Sequence, residues 1–496
     1  MKNCSKSIKQ INFWIAIKLL LAFFVFSTVY SAQAAIIFDK AHSPYHLNQT
    51  LTIAVNDTLI ILEGTTVIID TAVDIVVNGT LLIQGTSDEP VNILPKVDTI
   101  GWGRIYLEKP GANCRFDHAK IVDGAVLSHD ANLIYRDVHF INRQNLPLNY
   151  NITRVERASV DLQNCSIHGS GKGEGFLVMN ATAVLIRNCE FYNIPDAIEI
   201  TRLSNSNINN NYFFDIPDDA IDLNNCNNVT IDSNIIIQAH DRGMEIGSEI
   251  FGSSTNIRVC RNLVIRCKEG VTFKEGSSGV MLNNTLYQNK IGIVSKEIGP
   301  TPGGSQVSVE NTIISQSEWS DYQTDSLSEL WINYSLSDTE ILEGNANLFS
   351  DPQFVDPEND DFSLQITSPC IDAGNPDSAL DPDETISDMG AYFYNQDTTS
   401  TVIPNDSGMP FVRVFPNPFA SIINVRYYLN HPSNVKIELY NIYGTKVKTI
   451  FNQYQIRGDY MITLNLNETV SMAPGFYICV VTFGHVSKGF RMVHIK

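Results

Sequence analysis

Between residues 184 and 295, hydrophobic positions recur in short period-2 runs rather than at helical spacing. The runs are VLIRNCEFYNIPDAIEI (184–200), SNINNNYFFDIPDDAIDL (206–223), VTIDSNIIIQAHDRGMEI (229–246), NIRVCRNLVIRCKEGVTF (256–273) and GVMLNNTLYQNKIGIVS (279–295). Each has an alternating apolar stretch, an Asn, an apolar pair, a polar turn, and a small residue opening a second stretch. An Asn column runs through Asn164, Asn188, Asn211, Asn234, Asn262, Asn284 and Asn311, at spacings of 24, 23, 23, 28, 22 and 27 residues. The two long intervals within the repeats contain GSEIFGSS and EIGPTPGGS, which read as loops leaving one rung. Short strands of this kind cannot bury an apolar face alone. Coiled into rungs they stack at about 4.8 Å, and their inward residues form columns. Ile198, Ile221, Met244, Val271 and Ile293 are such a column. The Asn residues bond the turn backbone and one another. The runs are too short, and too rich in Val, Ile and Asn, for a helical solenoid. The expectation is an all-β chain built around a parallel β-helix.

This coiling resembles the right-handed parallel β-helix (pectate-lyase-like) superfamily over roughly residues 45–330. The stretch from Leu51 to Ile93, with GTLLIQGT and then WGRIYL, resembles the opening rungs of secreted bacterial members. Open solenoid ends need capping against edge pairing, and residues 36–50 and the segment after 340 are the candidates.

The ends of the chain add the domain plan. Lys2, Lys6, Lys9 and Lys18 lead into the apolar run Leu19–Val29, and SAQAA (31–35) follows, so 1–34 reads as a signal peptide. No second apolar run reaches the ~20 residues of a membrane span. Residues 36–340 form the coil, 341–395 an acidic tail, 396–410 a linker and 411–496 a C-terminal domain. Charge marks the last boundary. Residues 351–406 hold thirteen Asp or Glu and no Lys or Arg, whereas 411–496 hold nine Lys or Arg against three acids. The net charge is −20, and the central body has no basic stripe of the kind that binds nucleic acid. The C-terminal stretch has about seven short alternating strands, which predicts a small Ig-like β-sandwich. Its PNP (416–418), YNIYGTKV (440–447), PGFYICVVT and terminal MVHIK resemble the type A sorting domain of the type IX secretion system. The resemblance implies a Bacteroidota-type cell, passage through the periplasm, the secretion machinery as partner, and a secreted or outer-membrane surface destination.

Cys114, Cys165, Cys189, Cys226, Cys260, Cys267, Cys370 and Cys479 remain after the signal peptide, without metal-ligand spacing. Buried thiols are the reading for most. Cys165 and Cys189, equivalent on adjacent rungs, fit a disulfide or two free thiols equally.

The repeat places Glu199, Asp222 and Glu245 on consecutive rungs, pointing outward between inward apolar residues. Carboxylates ~4.8 Å apart repel by about 1 kcal/mol in water and ~3.5 kcal/mol at an effective dielectric of 20. Such a column is hydrated, paired, bridged by a cation, or holds one raised pKa, the property of a general acid. Asp196, Asp219, Arg242 and Glu269 align beside it, as do Asp218, Asp241 and Lys268, which reads as an ionic ladder. Lys274 reaches the same face from one rung on. Three readings follow. A polysaccharide lyase would hold Ca²⁺ with the acids and remove a proton with Lys274 or Arg242. A glycoside hydrolase would use paired carboxylates. The third is a solvated polar face, or the binding surface of an adhesin. His240, His168 and His118 are further acid–base candidates, and Trp102, Tyr106, Tyr192 and Tyr212 are candidates for stacking on sugars. In the tail, Asp381, Asp383 and Asp388, with Glu384 between, offer oxygen ligands for calcium or a plain acidic loop.

Overall fold

The computed structural model describes residues 34–97, 101–109, 112–143, 151–247, 250–297 and 303–396. In the C-terminal portion it describes 412–415, 419, 422–429, 432–441, 444–456, 458–465, 475–484 and 486–494. The expected signal peptide, all but the first residue of the linker, and Pro416–Pro418 lie outside these residues. The chain falls into two compact units, one ending at Val184 and the other beginning at Leu185.

The first unit is a parallel coil whose strands obey the period-2 rule. In Thr58–Leu62 the alternation buries Leu59 and Ile61 and leaves the threonine and the residues between partly open. Parallel pairing in register stacks Phe38, Ile61, Ile83, Phe116, Tyr135 and Leu162 into one interior column. A second wall is formed by Leu51–Ile53, Ile75–Val77, Arg104–Leu107, Ala125–His129, Asn151–Glu156 and Glu174–Met179, paired in that order. Its interior column is Ile53, Val77, Leu107, Ser128, Val155 and Val178.

In the second unit, six parallel strands form the wall that carries the site. They are β1 (Ile198–Thr201), β2 (Ile221–Asn224), β3 (Arg242–Ile246), β4 (Glu269–Lys274), β5 (Ile291–Lys296) and β6 (Ser320–Thr324). Ile198, Ile221, Met244, Val271 and Ile293 pair in register, as the repeat predicted, and the column continues to Tyr322. The first five are fully or almost fully buried, each worth about 1.5–3 kcal/mol of apolar transfer. The small residue opening each second stretch has a steric cause. A Cβ on Gly243 would meet the Gly270 carbonyl oxygen at 2.5 Å, one on Gly270 the Gly292 oxygen at 2.4 Å, and one on Gly292 the Asp321 oxygen at 2.6 Å.

The asparagine column is a hydrogen-bonded ladder, with a correction. Asn211, Asn234, Asn262 and Asn284 are buried, and each backbone N–H from Asn211 to Asn262 donates to the next side-chain Oδ1, at 2.9–3.0 Å. Their Nδ2 groups donate to Ile186, Ile208, Ile231 and Val259 carbonyls. Asn188 and Asn311, counted in that column from the sequence, sit one residue before it at φ 54° and 51°. The ladder positions on those rungs are Cys189, whose N–H donates to Asn211, and Thr312, whose hydroxyl accepts from Asn284. Asn164 likewise adopts φ 56°, which asparagine tolerates better than most residues. Every cysteine from Cys114 to Cys479 is a free, buried thiol. Cys165 and Cys189 each donate to a carbonyl two residues back, so the disulfide alternative falls away.

The acidic tail lies along the flank of this unit. Phe354, Phe362, Leu364, Cys370 and Met389 bury themselves against Phe214, Ile237, Leu263, Ile265, Tyr287 and Ile313. Arg266 pairs with Asp360 at 3.0 Å, Asn283 Nδ2 donates to the Asp388 carbonyl, and Asn375 N–H donates to Asn311 Oδ1.

The C-terminal domain has the seven antiparallel strands its pattern predicts. Three form one sheet (Val412–Phe415, Ile422–Leu429, Gly458–Asn465) and four the other. The second comprises Ser433–Asn441, Lys446–Gln455, Gly475–Phe483 and Val486–His494. Phe419, Ile423, Val425, Tyr427, Val435, Ile437, Leu439, Cys479 and Val481 fill the core.

Candidate functional site

The outward positions of β1 to β6 bring the predicted residues together. Glu199, Asp222 and Glu245 are direct register partners, followed on the same column by Thr272. Arg242 pairs in register with Glu269, and its backbone N–H donates to Asp219 Oδ1 at 2.8 Å. Lys274 closes on Glu245 at 2.5 Å, as its position one rung on and two residues along required.

The face is less solvated than an outward column implies. Glu245 and Lys274 are each only 7% exposed. Arg242 is clasped on all sides: Nη1 pairs with Glu245, with Asp241 at 2.9 Å and with Asp219 at 3.5 Å, and Nε donates to Glu269 Oε2 at 3.1 Å. Thr272 Oγ1 also donates to Glu269 Oε2 at 2.7 Å, and Lys296 lies 3.8 Å from Glu269 Oε1. Lys268 pairs with Asp241 at 2.5 Å. Burial works against the Arg242 charge, but Glu245, Asp219, Asp241 and Glu269 outweigh it and raise its pKa. An arginine so held is a fixed cation and no base. Lys274 is engaged by the buried Glu245 carboxylate.

Asp222 is different. It is half-buried, and its Oδ1 is enclosed without a hydrogen-bond donor. Oδ2 accepts one bond from Asn224 Nδ2 at 2.8 Å. Burial first, then the Glu245, Asp219 and Glu199 charges, push its pKa well above the usual carboxylate range, against the smaller opposing effect of Asn224. Asp219 is raised in the same sense, by burial and then by Glu245, with Arg242 opposing. Burial and Asp241 raise Asp218. The clamp on Glu245 matters here. Lys274 and Arg242 both close on Glu245, and after burial the Glu245 carboxylate is the leading influence that raises Asp222.

One group of carboxylates has metal-ligand spacing. Asp196, Asp218 and Asp219 each offer an oxygen, all within 4.8 Å of one another, which suits a hard divalent cation. The tail carboxylates are arranged differently. Asp388 accepts backbone N–H groups of Asp372 and Tyr394, Asp383 those of Thr385 and Gln396, and Asp381 that of Asp388. Their oxygens staple the turns of the tail.

The remaining candidates have other partners or surroundings. His240 is 3.3 Å from Asp215 rather than beside Asp241. His118 lies within the strand Asn113–Val122 at φ 44°, and His168 ends a strand of the first unit. Trp102 is buried and donates to the Val122 carbonyl at 2.8 Å. Tyr192 stacks on Phe214, and both Tyr192 and Tyr212 pack against the cluster under the tail. Tyr106 is half-buried on a first-unit strand. Asn224, Thr272 and Lys296 are additions to the face. The register extends the predicted columns to all three, so repeat alignment carried one rung further would have found them.

A carboxylate-lined outer wall on stacked parallel rungs defines the chain as a β-helix protein. Residues 150–318 match the family described as "Right handed beta helix region", in keeping with the parallel coil of this part of the chain. Residues 413–494 match the secretion system C-terminal sorting domain, so the protein is exported cargo of the type IX secretion system. An alginate lyase from Paenibacillus sp. str. FPU-7 aligns at 12% identity over 61% of this chain and 99% of its own, with a TM-score of 0.28. A tailspike protein of Acinetobacter baumannii bacteriophage Fri1, a capsular polysaccharide depolymerase, aligns at 7% identity over 93% and 80%, with a TM-score of 0.20. No curated protein matches the chain. No described helix is long and apolar enough to cross a membrane.

Proposed function

We propose that this exported protein binds polysaccharide along the outer face of β1 to β5 and hydrolyses its glycosidic bonds, with Asp222 as proton donor. The observation that carries the reading is Asp222 itself: a half-buried carboxyl, one oxygen without a donor, between carboxylates on both neighbouring rungs. Such a group keeps its proton to higher pH than an ordinary carboxyl and is able to deliver it to a leaving oxygen. Glu199, one rung away at about 4.8 Å, is the nucleophile, a separation that favours attack on the anomeric carbon over a water-mediated route. Asp222 gives its proton to the glycosidic oxygen as that bond breaks, and Glu199 bonds to the sugar. Water then displaces Glu199 while Asp222 takes back a proton. Glu245, Arg242 and Lys274 set the field. Proton abstraction by Lys274 or Arg242, the lyase alternative, is less well supported, because carboxylates occupy both cations. A cation at Asp196, Asp218 and Asp219 would anchor an acidic sugar beside the reacting bond.

A second reading, binding without cleavage, is favoured by one observation: most charges on the face close on one another as buried ion pairs. A product screen separates the two. Mature protein incubated with pectin, alginate, glycosaminoglycans and neutral glucans should release reducing ends, and Asp222→Asn should abolish them. Binding with no product from any polymer refutes cleavage. The destination is tested separately. Removal of 411–496 should leave the protein in the periplasm, and continued surface delivery refutes the assigned role of the C-terminal domain.

A further inference from the structure

The rim beside the site changes character along the coil. One position per rung runs Asp218, Asp241, Lys268, Lys290, Trp319, held in sequence by backbone bonds from Asp241 to the Asp218 carbonyl, Ile291 to the Lys268 carbonyl and Trp319 to the Lys290 carbonyl. Lys268 is used up by Asp241 at 2.5 Å. Lys290 is not. Among the described residues no carboxylate pairs with it, and its ammonium lies over the Trp319 ring, 5.1 Å from the centroid. Trp319 is 60% exposed. A cation against an open indole is attractive in itself, by about 0.5–1 kcal/mol at an exposed site, and both groups stay available to a ligand.

We infer that Trp319 and Lys290 form a subsite for an anionic sugar, the indole stacking on a pyranose ring and the ammonium pairing with its carboxylate or sulfate. The inference rests on the glycan-binding reading above and deepens it by naming the substrate class. Three observations converge. The pair sits on the rim that borders Asp218 and Asp241. Carboxylates, which repel an anionic chain, run from β1 to Glu269 on β4, and Lys268, Lys274 and Lys296 are each engaged with one of them, so Lys290 is the rim cation left for a ligand. A sugar polymer advances by about one rung spacing, ~4.8 Å, per residue, so a chain reacting at Asp222 reaches Trp319 about four sugars away. In a protein of net charge −20, an unengaged ammonium beside an open indole is a point where an acidic polymer gains contact beyond the acidic rungs.

The test is binding of fluorescently labelled oligouronates, and of the same oligosaccharides with their carboxyls reduced to alcohols, to the full mature protein. Trp319→Ala should weaken oligouronate binding by about tenfold or more, and Lys290→Gln similarly, the latter with no effect on the reduced series. Asp222→Asn should bind as wild type while losing product release. Oligouronates that bind wild type and both rim variants equally overturn the subsite and leave the proposed hydrolysis standing. Preference for the reduced series, or equal loss on both series in Lys290→Gln, overturns the charge selection. Failure of every oligosaccharide to bind overturns the subsite together with the reading it rests on.

Discussion

Asp222→Asn is expected to stabilise the protein in a pH-dependent way. Asp222 sits one rung, about 4.8 Å, from both Glu199 and Glu245, and each such neighbour costs an ionised Asp222 ~3.5 kcal/mol at an effective dielectric of 20. Burial adds to this, so the folded-state pKa is raised well above the usual carboxylate range. A carboxyl whose folded pKa is raised contributes stability that is fully present below its unfolded pKa. That contribution is lost as pH rises through the folded pKa. The wild type should therefore lose about 1.4 kcal/mol per pH unit relative to Asp222→Asn, starting near pH 4 and levelling off once the folded pKa is passed. By neutral pH the variant should therefore melt above the wild type, by a margin that grows with pH until the folded pKa is passed. Asparagine matches the protonated acid in shape, so little packing is lost. Calorimetric melting of both proteins at pH 4 to 9 measures the difference. A difference that stays flat across this range would mean that Asp222 titrates normally, and the proton-donor role would fall with it.

Other expectations follow from single contacts. Lys274→Met strands the Glu245 carboxylate, 7% exposed, beside one remaining cation, and should cost about 3–5 kcal/mol in denaturant unfolding. Asn234→Ala removes both the acceptor for Asn211 and the donor to the Ile208 carbonyl, and should cost ~3 kcal/mol, read from the same unfolding curves. Burial raises Asp388 from 3.8 to about 6, so its contribution of about 3 kcal/mol to tail docking is present below pH 4 and lost as pH rises through 6. Hydrogen exchange in 370–394, corrected for intrinsic rate, should quicken between pH 5 and 7, and an unchanged rate would contradict it.

The repeat was legible because its physics is local. Period-2 alternation, an Asn at each turn and a fixed circumference place Ile198, Ile221 and Met244 in one column without reference to anything distant. The same arithmetic put Lys274 within reach of Glu245. It slipped where two Asn compete for one position: Asn188 and Asn311 are turn residues at positive φ, and the ladder itself passes through Cys189 and Thr312. Burial of the site was not legible, because it arises from several long side chains closing on Arg242 at once. Spacing could not show that Asp381, Asp383 and Asp388 turn their oxygens to backbone N–H groups. Trp319 escaped notice because its rung ends a column whose earlier members are charged. The sandwich strands were legible from alternation, and the C-terminal motif located the sorting domain.

The most direct measurement is the fate of the anomeric centre during cleavage, followed by proton NMR on the polysaccharide that the product screen identifies, with wild type and Asp222→Asn side by side. Wild type should release the retained anomer first, in keeping with Asp222 and Glu199 about 4.8 Å apart, and Asp222→Asn should be slower by 10² or more. Unsaturated sugar ends, an inverted anomer, or full activity in Asp222→Asn would contradict the account.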